Sequence, residues 1–118
     1  MPKDETWKNA GLSVEDRRDI EDAITRTGGI AEVILFGSRA LGTYRPGSDV
    51  DLAIRCERGV DPGHVVSELS TLLNEETSLP YRFDVIALEQ LVHEGLKEHV
   101  RGFGKRLYVS GRRENPTD

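Results

Sequence analysis

Residues 30–56 read IAEVILFGSRALGTYRPGSDVDLAIRC, and the fold prediction depends on this stretch. Its first seven residues, Ile30 to Phe36, are mostly large apolar or β-branched, which is typical of a strand buried on both faces. The run stops at Gly37-Ser38, where one helical turn and an exposed loop can follow. Asp49 to Arg55 then predicts a second strand.

Apolar spacing on either side of this stretch predicts three longer helices and two further strands. Ser13, followed by two acids, favours a helix start, and a glycine pair ends the same pattern. The helices are predicted at residues 14–27, 61–78 and 89–101, and the strands at 82–88 and 106–109. We therefore expect an α+β domain in two layers, with a mixed sheet of three or four strands and about four helices.

The length of 118 residues is enough for one compact domain. Both ends are polar, so we expect tails at residues 1–12 and 111–118 and a folded domain at 13–110. Charged residues make up 31% of the chain and the net charge is -5, which argues against direct binding of nucleic acid.

Cys56 is the only cysteine, so no intrachain disulfide is expected. The start of the chain lacks the basic and apolar segments of a secretory signal, and no run is long enough for a membrane span. We expect a cytoplasmic protein with no membrane contact.

Two carboxylates, Asp49 and Asp51, stand two residues apart in the second predicted strand. Side chains in a strand alternate between its faces, so both carboxylates should point the same way. Mg²⁺ prefers oxygen ligands of this kind, usually completed by substrate phosphates and water. A pair of solvated acids at a strand start is the ordinary alternative.

Gly37-Ser38 adds a second feature, because a small residue and free N–H groups at a helix start suit a phosphate. A simple turn with a serine cap is the alternative reading. If the strands on either side are antiparallel neighbours, this turn and the Asp pair lie at the same edge of the sheet.

Asp84 adds a third feature, since it lies inside the predicted strand 82–88, where a buried position would require compensation for its charge. It can supply a third carboxylate beside the first two, or it can pair with Arg82. His64, His93 and His99 lie in or beside predicted helices and are expected to be solvated surface residues.

The combined pattern resembles the minimal nucleotidyltransferases of the DNA polymerase β superfamily. The motif of Gly-Ser, an intervening segment and Asp-x-Asp is complete, and a later strand aspartate follows it. The resemblance covers residues 14–109 and rests on three matching segments: residues 35–42, 48–53 and 83–85. Many relatives carry a basic residue where this chain has Leu41, so one phosphate contact is missing, and Arg39 or Arg45 is expected to compensate.

This resemblance implies a catalytic and metal-binding set of Asp49, Asp51 and Asp84, which would hold two Mg²⁺ ions. Gly37, Ser38 and Arg39 would bind the nucleotide. The implied reaction is in-line attack of a hydroxyl on the α-phosphate of ATP, with pyrophosphate leaving.

Small members of this kind resemble the antitoxin of HEPN–MNT toxin–antitoxin systems. The resemblance implies transfer of AMP to a hydroxyl, expected to be that of a tyrosine, on a HEPN toxin with which the protein forms a hetero-oligomer. Two alternatives stay open: an antitoxin that acts by binding alone, and an aminoglycoside-type transferase that would need a dimer to form its pocket. The acceptor, the nucleotide preference and the oligomeric state do not follow from the sequence.

Overall fold

The computed structural model describes residues 9–110, so the predicted tails lie outside it except at residues 9–12. Those four residues are not loosely held, because Ala10 and Leu12 are buried in the main core. The packed domain therefore begins before residue 13, where the sequence placed its start.

Four strands form one mixed sheet in the order β3-β2-β1-β4. The central strands β1 (Ile30–Phe36) and β2 (Val50–Cys56) are antiparallel, which is the arrangement that brings the Gly37 turn and the Asp pair to the same edge of the sheet. β3 (Phe83–Ala87) runs parallel to β2, and β4 (Lys105–Val109) runs antiparallel to β1. Both predicted later strands exist.

Four α-helices accompany the sheet in the described part of the chain. They are α1 (Val14–Thr27), the single turn α2 (Ser38–Leu41), α3 (Pro62–Thr71) and α4 (Glu94–Phe103). A capping box between Ser13 and Asp16 begins α1, since each side chain accepts a hydrogen bond from the other residue's backbone N–H. A π-helical turn, Leu72–Glu76, extends α3.

The last helix begins later than predicted. Residues 88–90 form a 3-10 turn, and α4 starts after His93, whose Nδ1 accepts a hydrogen bond from the N–H of Leu96. Glu89 is held outside the helix because its carboxylate accepts a hydrogen bond of 2.8 Å from the N–H of Cys56. A tertiary contact therefore replaces the first turn that the sequence suggested.

The main core lies between one face of the sheet and helices α1 and α3. Apolar side chains from both layers meet there, including Ile20, Leu35, Leu52 and Leu69, each fully buried. A smaller cluster on the other face joins Phe36 and Ala53 to Val100 of α4. The α+β class with a mixed sheet is therefore confirmed, and α4 covers part of the second face.

Charged residues also connect three strands on the face that α4 partly covers. The Glu32 carboxylate of β1 lies between Arg55 of β2, at 3.0 Å, and Arg106 of β4, at 2.6 Å.

None of the helices between residues 9 and 110 has the length and apolar character that a membrane span requires.

Candidate active site

The site is built around the turn at Gly37, which connects β1 to α2. Gly37 has φ +75° and ψ -156°, a region that is essentially open only to glycine. A Cβ atom here would stand 3.1 Å from Cγ of Asp51 and inside 3.0 Å of its Oδ2. The backbone of the turn therefore lies directly against the Asp51 carboxylate, and only glycine permits this approach.

Three carboxylates converge at this edge of the sheet. Asp51 of β2 pairs with Asp84 of β3 in the parallel register, and Asp49 stands just before β2. Burial raises the pKa of Asp51 above its usual range, and the Asp84 and Asp49 carboxylates raise it further, in that order. The positive charge of the Arg39 guanidinium acts against this rise. The cluster concentrates negative charge at one point.

Asp84 does not occupy the buried strand position considered from the sequence, because its side chain is exposed. β3 is an edge strand whose burial alternates, with Phe83 and Val85 facing the core and Asp84 facing solvent. The ion pairs among residues 9–110 do not include Asp84, so neither burial nor a bond to Arg82 explains its presence.

The donor set suits a hard divalent cation, since the nearby groups are carboxylate oxygens that repel one another. Within the described residues, however, no group of three or more His, Cys, Asp or Glu side chains is arranged to hold a metal ion. Mg²⁺ commonly takes only one or two protein carboxylates and completes its shell with phosphate and water, which fits this arrangement.

Ser38 begins α2 next to the Gly37 turn and is partly exposed. The hydrogen bonds found among residues 9–110 do not use the N–H of Ser38 or that of Arg39. These two N–H groups are the first of the helical turn and remain available to an anion.

Arg39 has a different position from the one expected of a nucleotide-binding side chain. It is 2% exposed, and its guanidinium donates to the carbonyl of Ala10 at 2.8 Å and to that of Ser48 at 3.0 Å. The rings of Tyr44 and Tyr81 lie 4.9 and 4.8 Å from its central carbon. The guanidinium therefore holds the scaffold together, which leaves exposed Arg45 as the side chain that could compensate for Leu41.

His99 is the site residue that sequence reasoning missed. Its Nε2 accepts a hydrogen bond of 3.0 Å from the N–H of Gly37, across 62 positions of sequence. The available signal was spacing, because His99 shares the apolar face of α4 with Leu96, Val100 and Phe103. His64 and His93 are exposed, as predicted.

A family model described as "Polymerase beta, Nucleotidyltransferase" matches residues 18–113. The fold is thus that of a nucleotidyltransferase domain. The chain belongs to the polymerase β nucleotidyltransferase family. No curated protein matches its sequence.

Solved structures share the fold at low identity. A toxin–antitoxin complex with AMP-PNP contains a chain 24% identical, with a TM-score of 0.64, covering 80% of this chain and 74% of that one. The structure of a tri-AMPylated Shewanella oneidensis HEPN toxin in complex with MNT antitoxin contains a chain with 21% sequence identity and a TM-score of 0.57. The match covers 80% of this chain and 70% of that one. A Sulfolobus solfataricus protein provisionally described as a nucleotidyltransferase has 19% sequence identity and a TM-score of 0.50. The match covers 92% of this chain and 84% of that one.

Proposed function

We propose that this protein is a cytoplasmic antitoxin that transfers AMP from ATP, with Mg²⁺, to a tyrosine hydroxyl of a HEPN-type toxin. The observation that carries the proposal is the contact of the Gly37 turn with Asp51, which brings open N–H groups and carboxylates to one point. Phosphate binding and metal binding are then possible at adjacent positions.

Each residue has a distinct part in the proposed reaction. The N–H groups of Ser38 and Arg39 and the Ser38 hydroxyl bind phosphate oxygens of ATP. Asp49 and Asp51, with Asp84, would hold Mg²⁺, which neutralises charge on the phosphates and polarises the α-phosphorus. Exposed Asp84 also accepts a hydrogen bond from the incoming hydroxyl and orients its oxygen.

The bond changes follow from in-line displacement. The acceptor oxygen forms a bond to the α-phosphorus, and the bond from that phosphorus to the bridging oxygen of the β-phosphate breaks. Pyrophosphate leaves with the bonding pair. The hydroxyl proton passes to Asp84 and then to water, so the carboxylate is regenerated.

Two further observations support the choice of partner. The relatives of known structure include a toxin–antitoxin complex with AMP-PNP and an AMPylated HEPN toxin bound to its MNT antitoxin. The net charge of -5 suits contact with a basic, RNA-cleaving partner better than contact with RNA itself.

The test combines the purified protein with the product of its neighbouring gene, ATP and Mg²⁺. We expect the intact mass of that partner to rise by AMP units, and a tryptic map to place them on tyrosine. Asp49→Asn and Asp51→Asn should each abolish the rise. A partner of unchanged mass under every metal and nucleotide condition would contradict the proposal.

A binding-only antitoxin is the second candidate, and the net charge of -5 supports it, because that charge suits docking to a basic partner whether or not AMP is transferred. It predicts that the Asp51→Asn protein relieves growth inhibition by the partner as well as the wild type does. The transfer mechanism predicts that this variant binds the partner but leaves its toxicity intact.

A further inference from the structure

We propose that His99 is a positioning residue for nucleotidyl transfer, which holds the Gly37 turn against Asp51. The inference rests on the proposed function for its kinetic part and on the hydrogen bond alone for its structural part. It gives α4, which lies outside the nucleotidyltransferase motif, a direct connection to the phosphate-binding turn.

The hydrogen bond defines the state of the imidazole. Nε2 of His99 accepts from the N–H of Gly37 at 3.0 Å, so that nitrogen carries no proton. The neutral ring then carries its proton on Nδ1, a tautomer assigned from the hydrogen bond. The ring is therefore an acceptor for the turn and not a donor to phosphate through Nε2.

Two aromatic rings fix the orientation of this imidazole. Phe36 lies edge-on with ring centroids 6.2 Å apart, and Phe103 lies at 5.6 Å with an angle of 36°. His99 itself is half-buried. With a ring beside it on β1 and another on its own helix, the acceptor nitrogen remains directed at Gly37.

The Gly37 turn needs such an outside contact. Glycine adopts positive φ about as readily as negative φ, so the conformational preference of Gly37 does not by itself keep the turn in one place. Since the Gly37 N–H is already used by His99, the N–H groups of Ser38 and Arg39 are the ones left for phosphate. His99 therefore determines where those two donors stand relative to Asp51.

Two substitutions separate the hydrogen bond from the ring packing. His99→Gln keeps an acceptor oxygen near the position of Nε2 but removes the ring, while His99→Phe keeps the ring and removes the acceptor. His64→Gln, on exposed surface of α3, is the matched control for the exchange of histidine by glutamine.

The kinetic test uses the mass assay for AMP transfer, with kcat and KM measured separately. We expect His99→Phe to lower kcat by about 10- to 100-fold, because small displacements at a reaction centre are costly. His99→Gln should stay within about threefold of wild type, and His64→Gln should be unchanged. Equal loss in both His99 variants, or a wild-type kcat in His99→Phe, would overturn the proposal.

Amide hydrogen exchange makes the inference testable even if the protein transfers no AMP. The peptide containing Gly37 should exchange faster in His99→Phe than in the wild type, and His99→Gln should restore protection. Unchanged exchange in His99→Phe would refute the positioning role. Absence of AMP transfer by the wild-type protein would instead refute the proposed function.

Discussion

Replacing Gly37 by alanine tests the close approach on which the proposed site depends. The added Cβ would stand 3.1 Å from Cγ of Asp51 and inside 3.0 Å of Oδ2, a separation that real Cβ atoms essentially never show. The carboxylate oxygen must withdraw by about 1 Å to regain van der Waals contact. A misplacement of about 1 Å can cost roughly 100-fold in rate, so we expect AMP transfer to fall by about that factor.

Gly28 offers a matched control for the backbone strain in this experiment. Its φ of 76° and ψ of 158° fall in the same glycine-only region as those of Gly37, and an added Cβ would meet nothing within 4 Å. Alanine at either position should cost about 1–3 kcal/mol of unfolding free energy. Only Gly37→Ala should also lose transfer, since only there does the methyl group displace a carboxylate.

The assay follows the mass of the modified partner over time, alongside thermal unfolding of each variant. Transfer by Gly37→Ala at the wild-type rate would refute the argument that Asp51 must stay against the turn. A comparable loss of transfer in Gly28→Ala would show that general destabilisation, and not displacement of Asp51, causes the loss in Gly37→Ala.

Two other substitutions test the electrostatics and the scaffold. Burial, reinforced by the Asp84 and Asp49 carboxylates, raises the pKa of Asp51 in the folded state above the 3.8 of an unperturbed aspartate. As the pH rises from 3.8 through the folded-state pKa, ionisation of Asp51 therefore lowers the free energy of unfolding. Without Mg²⁺, Asp51→Asn should therefore melt higher than wild type at pH 7 and no higher at pH 3, and a lower melting point at pH 7 would contradict this. Arg39→Met leaves the carbonyls of Ala10, Gly11 and Ser48 without their donor, which should cost about 2–5 kcal/mol in urea unfolding. A loss under about 1 kcal/mol would show that the guanidinium is not structural.

The features predicted correctly from the sequence are those that local residues determine. The run of apolar residues specifies β1, and glycine followed by serine specifies the turn into α2, because both depend on neighbours in the chain. The capping box fixes the start of α1 in the same way. The antiparallel pairing of β1 with β2, which stayed open from the sequence alone, is compatible with their short connection.

The features that the sequence did not reveal concern residues whose partners are distant in the chain. The acceptor role of His99 depends on Gly37, 62 positions away, and the burial of Arg39 depends on the carbonyl of Ala10, 29 positions away. The exposure of Asp84 follows from the edge position of β3, which strand periodicity alone does not reveal. Each of these features therefore depends on tertiary arrangement.

The buried guanidinium of Arg39 has a consequence for anyone who re-engineers this chain. It joins three stretches of backbone, the segment at Ala10, the turn α2 and the carbonyl of Ser48 directly before Asp49. A protease nick or an inserted linker between Asn9 and Leu12 would therefore loosen the loop that delivers Asp49, although it lies far from that carboxylate in the sequence. Fusion junctions belong elsewhere on the molecule.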